Sequence, residues 1–523
     1  MKKIVLAVVC LMLTTVFSAE ENEVQPANRI TLKTSSVVAE INPYIYGGFI
    51  EHLGRVVYES IYNPDHPEAD RHGIRQDTVA ALRDLKMTIY RYPGGNFVSG
   101  YNWLDGVGPK EKRPTMLELA WKAIETNQFG TDEFMIFLDQ VGADALLTVN
   151  LGTGTEQMAA ALVEYCNGKP GTYYADMRVK HGHPEAYNIK HWCLGNEMYG
   201  SWQIGHLDPV DYAKKAERAA HMMSLVDSSI KLVPSLRWHE IAKDHVLNTG
   251  IAAYTGYISV HLYTTNNRKN DRALLAAGFN KIERTISASR AAANKVKSRK
   301  RNGKKTFLCF DEWGIRLIPE WHKRTPDGGR RENEFAPAIG EWPNHMIDAI
   351  VNAQYLNAFI RNADVVTLAT YSTPLNWFAP IIVEEDQILK QIFYYAFQLY
   401  SEHGHGVSLK PEVESETYLL DKESIPYIDV SACYNSDDQS VRVFIINRDL
   451  ENKRYVEISL DDRPDMKISK AVTIGGVPPY TRNTFKKPDT VLPRKLDVDK
   501  LNPGNIKLDP LSLTFVELNL KED

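Results

Sequence analysis

The 523-residue chain has little net charge, few cysteines and almost no long apolar runs. Each shortage closes a class of function. Lys and Arg number 61 against 66 Asp and Glu, which leaves a net charge of -5 and a pI near 6.3. That balance offers no electrostatic footprint for nucleic acid. Of five cysteines, Cys166, Cys193, Cys309 and Cys433 lie beyond the N-terminal run, and their spacing fits neither a zinc site nor a disulfide framework. Cys193 and Cys309 fall inside apolar strand candidates, where a free thiol serves as a small hydrophobe. Asp65-His66, Asp70 and His72 read as a charged loop rather than a metal cluster, and no metal or cofactor is expected.

The one long apolar run, Ile4 to Phe17, follows Lys2-Lys3 and precedes Ser18-Ala19-Glu20-Glu21. It is short for a membrane span, so no membrane insertion of the mature chain is expected. A charged start, a short apolar stretch and small residues describe a secretory signal over residues 1–19, and with it export to the periplasm or the exterior.

Beyond residue 45 the texture alternates. Apolar strand candidates at Ile45–Ile50, Met87–Tyr92, Ala145–Leu151, Ile189–Gly195, Lys231–Leu236, Tyr257–Tyr263, Thr306–Asp311 and Asp364–Tyr371 number eight. Helical patterns such as Gln76–Lys86, Thr131–Val141, Glu156–Cys166, Pro209–Val226 and Pro343–Arg361 lie between them. Strand and helix repeated eight times predict an α/β fold, a (β/α)8 TIM barrel over residues 45–402. After residue 403 short alternating strands take over, at Tyr427–Cys433, Ser440–Asn447, Tyr455–Leu460 and Leu511–Leu520. They predict an accessory antiparallel β-sandwich over 403–523. Arg29–Val38 alternates similarly, and the N-terminal segment 20–44 that contains it is expected to pair with the sandwich. The basic stretch Lys295–Lys305 reads as a solvated helix end and loop.

Chemistry concentrates at strand ends, where this fold builds its sites. Trp192–Glu197 and Phe307–Trp313 each run from strand-forming residues into a glutamate, Glu197 and Glu312. Two carboxylates aimed at one cavity are the apparatus for cleaving a glycosidic bond with retention. Its geometric requirement is a carboxyl separation of about 5–5.5 Å, whereas one nearer ~8 Å signals inversion. Asn196 is placed to hydrogen-bond a sugar hydroxyl beside the reacting carbon. Glu51, after the first strand, is a candidate for sugar hydroxyls, the bland alternative being a salt bridge to Arg55. The turn Pro93-Gly94-Gly95 lets backbone approach a ligand and aims Asn96 at it. Trp103 is either a stacking wall or loop packing. In His261-Leu262-Tyr263, Tyr263 is placed to donate to the nucleophile, and His261 is equally a satisfied core histidine.

Taken in order, the strings FIEHLGR (49–55), YRYPGGNFVSGYNW (90–103), DGVGP (105–109), NLGTGT (150–155), GNEM (195–198), WQIGH (202–206) and FDEW (310–313) resemble the α-L-arabinofuranosidases of glycoside hydrolase family 51. The resemblance runs from about Ile45 to Tyr400 and on through Val443–Asp449. It implies a barrel with a β-sandwich, a retaining exo-acting mechanism, and release of terminal arabinofuranose from arabinoxylan, arabinan or their oligosaccharides. It implies Glu197 as acid/base and Glu312 as nucleophile, with Glu51, Asn96, Asn196, Tyr263 and Gln391 binding the arabinose ring. A hexameric homo-oligomer is also implied. The sequence departs from the family at Tyr199, at Gly314 and in 372–380. Two rivals remain at this stage: a β-xylosidase or endo-β-glucanase on the same barrel, and a carbohydrate-binding protein without catalysis.

Overall fold

In a computed structural model, residues 27–317, 333–461 and 466–520 are described. Eight parallel strands form one sheet: β1 (Gly47–Phe49), β2 (Ile89–Tyr92), β3 (Asp144–Val149), β4 (His191–Leu194), β5 (Lys231–Pro234), β6 (Tyr257–Asn266), β7 (Phe307–Leu317) and β8 (Val366–Ser372). Neighbours follow chain order from β1 to β5 on one side, and β8, β7, β6 follow β1 on the other. The two edges, β5 and β6, meet through a bridge between Leu232 and Thr255, which closes the barrel. Strand β1 is squeezed between β8 and β2. A Cβ on Gly47 would stand 2.7 Å from the Ala369 carbonyl, so only glycine permits that approach.

Local chemistry explains the helices that wrap the sheet. Pro209 opens Pro209–Val226 at the position where a missing N–H costs nothing. The Thr155 hydroxyl caps Glu156–Asn167 by accepting from the Met158 N–H, and Asn270 caps the 28-residue helix Asp271–Ser298 through Ala273. Gly142, at φ 75°, ends Thr131–Val141 in the left-handed conformation that favours glycine.

Inside the barrel, Ile89, Leu146, Cys193, Val233, Tyr257, Cys309 and Leu368 form a separate apolar cluster. Each comes from a different strand, β2 to β8, and together they plug the lower interior. Cys193 and Cys309 are therefore packing residues, and all four thiols in the described residues are free and buried.

The C-terminal sheets use both N-terminal strands. A seven-stranded sheet contains Val37–Glu40, and a four-stranded sheet contains Asn28–Leu32 paired with Glu412–Glu414 and Arg454–Leu460. Their shared core, including Ile30, Leu32, Val443, Ile458 and Val516, is separate from that of the barrel.

One irregularity matters more than the rest. In β7, Cys309 and Asp311 face the barrel interior, while Phe310 packs outward on Phe359. The pairing register with β8 then slips between Phe310 and Trp313. The inserted residue lets Glu312 face inward directly after Asp311, and Trp313 returns outward against Tyr355 and Phe359. Strand β7 continues to Leu317, so Glu312 lies within the strand, not at the end that the apolar run predicted.

Candidate active site

At the C-terminal mouth of the barrel lies a cavity of about 580 Å³ lined by Glu51, Asn96, Glu197, Tyr263 and Glu312. Trp121, Trp202, Trp342 and Trp377 stand among its walls. Glu197 is three residues beyond β4, in a left-handed conformation (φ 43°) closed by a bond from the Gly200 N–H. Such a conformation is costly for a residue with a side chain and is characteristic of functional turns. Here it turns the carboxylate over the cavity.

Glu312 is held from three sides. Arg91 Nη1 donates to Oε1 at 2.9 Å, and the Tyr263 hydroxyl donates to Oε2 at 2.8 Å while lying 2.9 Å from Ser372 Oγ. The third partner is His261, whose Nδ1 lies 2.9 Å from Glu197 Oε1 and 3.3 Å from Glu312 Oε2. His261 Nε2 is 3.3 Å from Asp311 Oδ2. Burial opposes the imidazolium most strongly, but Glu312 and Asp311 outweigh it and hold His261 well above its ordinary value. The reciprocal effect works on Glu312. Burial alone would raise it, yet His261, Arg91 and Arg316 hold it well below the usual carboxylate range. Glu312 is ionised, as a nucleophile must be. Tyr263 is kept protonated by burial and by Glu312, so its hydroxyl remains a donor.

The two carboxylates are close. Glu197, His261 and Glu312 each present one ligating atom, and these atoms lie within 4.8 Å of one another. Oxygens this close fit the short carboxyl separation of a retaining pair better than the wider one of an inverting pair. The same three residues also have the composition of a metal site. The Trp202 indole donates to Glu197 Oε2 at 2.7 Å while remaining 55% exposed, which places it at the cavity rim.

Glu51 lines the opposite wall and is 4% exposed. Its Oε1 accepts from the Phe97 N–H at 2.9 Å and the Trp121 indole at 3.0 Å. Burial, reinforced by Glu312, raises it to about 7 despite these donors. Arg55 is not its partner, since its guanidinium pairs with Glu341. Trp121 is fixed in turn by Glu118, which accepts from the Ala120 and Trp121 N–H groups at 2.6 and 2.7 Å. Asn196 is buried beside Glu312, with Oδ1 accepting from Arg91 Nη2 at 2.6 Å. Gly95 sits among these groups: a Cβ there would lie 3.0 Å from Glu312 Oε1, 3.1 Å from Asn196 Nδ2 and 3.4 Å from Glu51 Oε2.

Two expected ligands stand elsewhere. Trp103 does not line the cavity. Its indole donates to the Met158 carbonyl at 3.1 Å, and it packs on Tyr165 and Tyr174, because the chain turns into a short helix after Tyr101 and carries the ring away. Gln391 is fully buried behind the wall. Its Nε2 donates to the Ala379 carbonyl and its Oε1 accepts from the Asn344 N–H, both at 2.7 Å, so it braces the Phe378–Ala379 segment from behind. Conversely, Arg91, Trp121 and Trp202 carry site contacts that sequence reasoning did not assign. Arg91 and Trp202 lay inside the quoted strings without a role, and Trp121 lay outside them. His261, weighed evenly beforehand, is central.

Comparison with known proteins places this geometry. The α-L-arabinofuranosidase 1 domain model matches residues 81–280, and the α-L-arabinofuranosidase C-terminal domain model matches 311–512. The chain is similar to the intracellular exo-α-(1→5)-L-arabinofuranosidase of Halalkalibacterium halodurans, 39% identical over 79% of this chain and 83% of that one. It is 36% identical to the enzyme of the same name from Acetivibrio thermocellus, over 88% and 94%. Among solved structures, a family 51 α-L-arabinofuranosidase from Bifidobacterium longum superposes with a TM-score of 0.87 at 33% identity, covering 95% of this chain and all of that one. These relatives correct one expectation. Four that span 79–92% of the chain are named intracellular, which overturns the inference of export. That inference rested only on the charge and hydropathy of a short terminal run, and residues 1–19 lie outside the described residues.

Proposed function

The chain belongs to the α-L-arabinofuranosidases of glycoside hydrolase family 51, and from that premise we propose residue roles for its retaining, exo-acting release of terminal arabinofuranose from arabinose-containing saccharides. The observation that carries the assignment is the pair of carboxylates, Glu197 and Glu312, with oxygens within 4.8 Å and one imidazole between them.

Glu312, ionised and held by Arg91 and Tyr263, attacks the anomeric carbon in line with the leaving oxygen. Glu197, at the mouth, donates its proton to that oxygen as the bond breaks. Covalent attachment then removes the negative charge of Glu312, and Glu197 accepts a proton from water, which releases arabinose with its original configuration. Glu51 and Asn96 receive sugar hydroxyls. The Asn196 amide, locked by Arg91, faces the hydroxyl next to the reacting carbon, where hydrogen bonds strengthen in the oxocarbenium-like transition state. The aromatic rim, Trp202 above all, packs the group being released.

The (1→5) linkage in the relatives' names makes arabinan and its oligosaccharides the proposed substrate over arabinoxylan. The hexamer implied by family resemblance belongs to the same reading, with light scattering as its check. The test of the roles compares wild type and Glu197→Ala on 4-nitrophenyl α-L-arabinofuranoside, with the β-D-xylopyranoside and a soluble β-glucan alongside and azide as external nucleophile. Lost turnover partly restored as the α-linked azide product supports Glu197 as acid/base and retention together. A β-linked product, or full activity in the variant, removes both assignments.

A further inference from the structure

Opposite the carboxylates, at the N-terminal ends of the strands, the barrel is thinly closed. The seam between β5 and β6 is a bridge, Leu232 to Thr255, backed by a 3.0 Å bond from the Gly256 N–H to the Leu232 carbonyl. Beside this seam opens a cavity of about 490 Å³. Four lysines line it, Lys231, Lys300, Lys304 and Lys305, and no carboxylate does.

The basic stretch read from sequence as a solvated helix end divides in two here. Lys295 and Arg299 turn outward to Asp244, at 3.2 and 2.7 Å. Lys300, Lys304 and Lys305 turn to the cavity. Lys305 is engaged by the Asp364 carbonyl and rests over the Phe307 ring. Among the described residues, Lys231, Lys300 and Lys304 have no ion-pair partner. The neighbouring Asp227 is occupied by Ser229 and by Lys190 at 3.8 Å. His191 does not compensate either, since burial and Lys231 pull it down to about 4 and leave it neutral. Burial and Lys304 pull the Lys300 amine down to about 8. Lys231, Lys304 and Lys305 are exposed and Lys300 is half-buried, so an anion entering the cavity meets several cations with no carboxylate in the lining to compete for them.

We propose that this cavity is a second binding site, which takes the phosphate or carboxylate group of a polyhydroxylated ligand. The cavity is far larger than a bare inorganic anion needs, and Ser228, Tyr254 and Asn302 also line it with hydroxyl and amide groups. The anion sits among Lys231, Lys300 and Lys304, and the ligand's hydroxyls meet those polar side chains. The arabinofuranose pocket opens at the other end of the barrel, so neither site obstructs the other.

The experiment titrates a hexose 6-phosphate, trigalacturonate, inorganic phosphate and uncharged galactotriose into the wild type and into a Lys300→Met/Lys304→Met variant, by calorimetry at low salt and at about 0.5 M salt. Hydrolysis of 4-nitrophenyl α-L-arabinofuranoside, unchanged in the variant, establishes that it folds. Saturable one-to-one binding of a charged sugar, weakened at least tenfold in the variant and by salt and absent for galactotriose, is expected. Binding of trigalacturonate alone identifies a uronate chain, and of the phosphate ester alone a phosphorylated sugar. The bound anion should also protect Lys300 from limited acetylation at pH 8, read by mass spectrometry. No saturable anion binding, or binding that the variant leaves unaltered, overturns the site. Inorganic phosphate held as tightly as either sugar overturns its polyhydroxylated ligand.

Discussion

Replacing Glu51 by glutamine should stabilise the protein at alkaline pH while weakening catalysis. The carboxyl is 4% exposed and is raised from 4.5 to about 7 by burial and by Glu312. A carboxyl raised on folding binds its proton more tightly in the folded chain than in the unfolded one. Its unfavourable contribution is therefore small below 4.5, grows as pH rises towards 7, and is constant above. At about 1.4 kcal/mol for each tenfold change in proton affinity, ionised Glu51 costs about 3 kcal/mol at pH 8 and less than about 1 kcal/mol at pH 5. Glutamine removes the charge yet keeps both donors, because Phe97 and Trp121 bond the same oxygen. With about 2.1 cal/mol/K of unfolding entropy per residue and an unfolding unit of roughly 350 residues, 3 kcal/mol corresponds to a Tm rise of about 4 °C. Thermal melts of Glu51→Gln and wild type at pH 8 and pH 5 should show most of this gain at pH 8 and about a third of it or less at pH 5. The same variant should lose roughly 10- to 100-fold in kcat/KM, the worth of a hydrogen bond to a charged acceptor. A gain no larger at pH 8 than at pH 5, or a loss at pH 8, would refute the buried-charge account.

His261→Asn removes the cation between Asp311 and Glu312, so the acid limb of the kcat/KM profile should move to higher pH, because Glu312 loses a group that holds it ionised; an unmoved limb would leave His261 a packing residue. Tyr263→Phe deletes the 2.8 Å donor to Glu312 and should lower kcat/KM by roughly 10- to 100-fold with the melting temperature little changed; steady-state kinetics beside a melt decide it. Gly95→Ala places a methyl among Glu312, Asn196 and Glu51, and kcat/KM on the arabinofuranoside should fall sharply in a protein that still folds; wild-type kinetics would show that the sugar does not approach there. Trp103→Phe should leave KM unchanged and cost about 1 kcal/mol of stability, the worth of the bond to Met158; a raised KM would return Trp103 to the substrate.

What the sequence determined by itself was what depends on local pattern. Alternation of apolar strands with amphipathic helices set the eight barrel strands, and a switch to short alternating strands set the sandwich. A glutamate at the end of an apolar run marked Glu197 and Glu312, because hydrophobic strands rarely end so. Tertiary structure decided what depends on register and long-range contact. The slipped pairing in β7 that turns Asp311 and Glu312 to the same side is a property of two strands together. The position of His261 between two carboxylates needs three strands to converge, and nothing in His261-Leu262-Tyr263 sets it apart from a core histidine. The removal of Trp103 to a helix-facing pocket and of Gln391 to the back of a wall follows from loop paths that no periodicity encodes. The division of Lys295–Lys305 into a paired half and a cavity-facing half is of the same kind: charge is written in the sequence, but whether a charge finds a partner is settled only when the chain has folded around it.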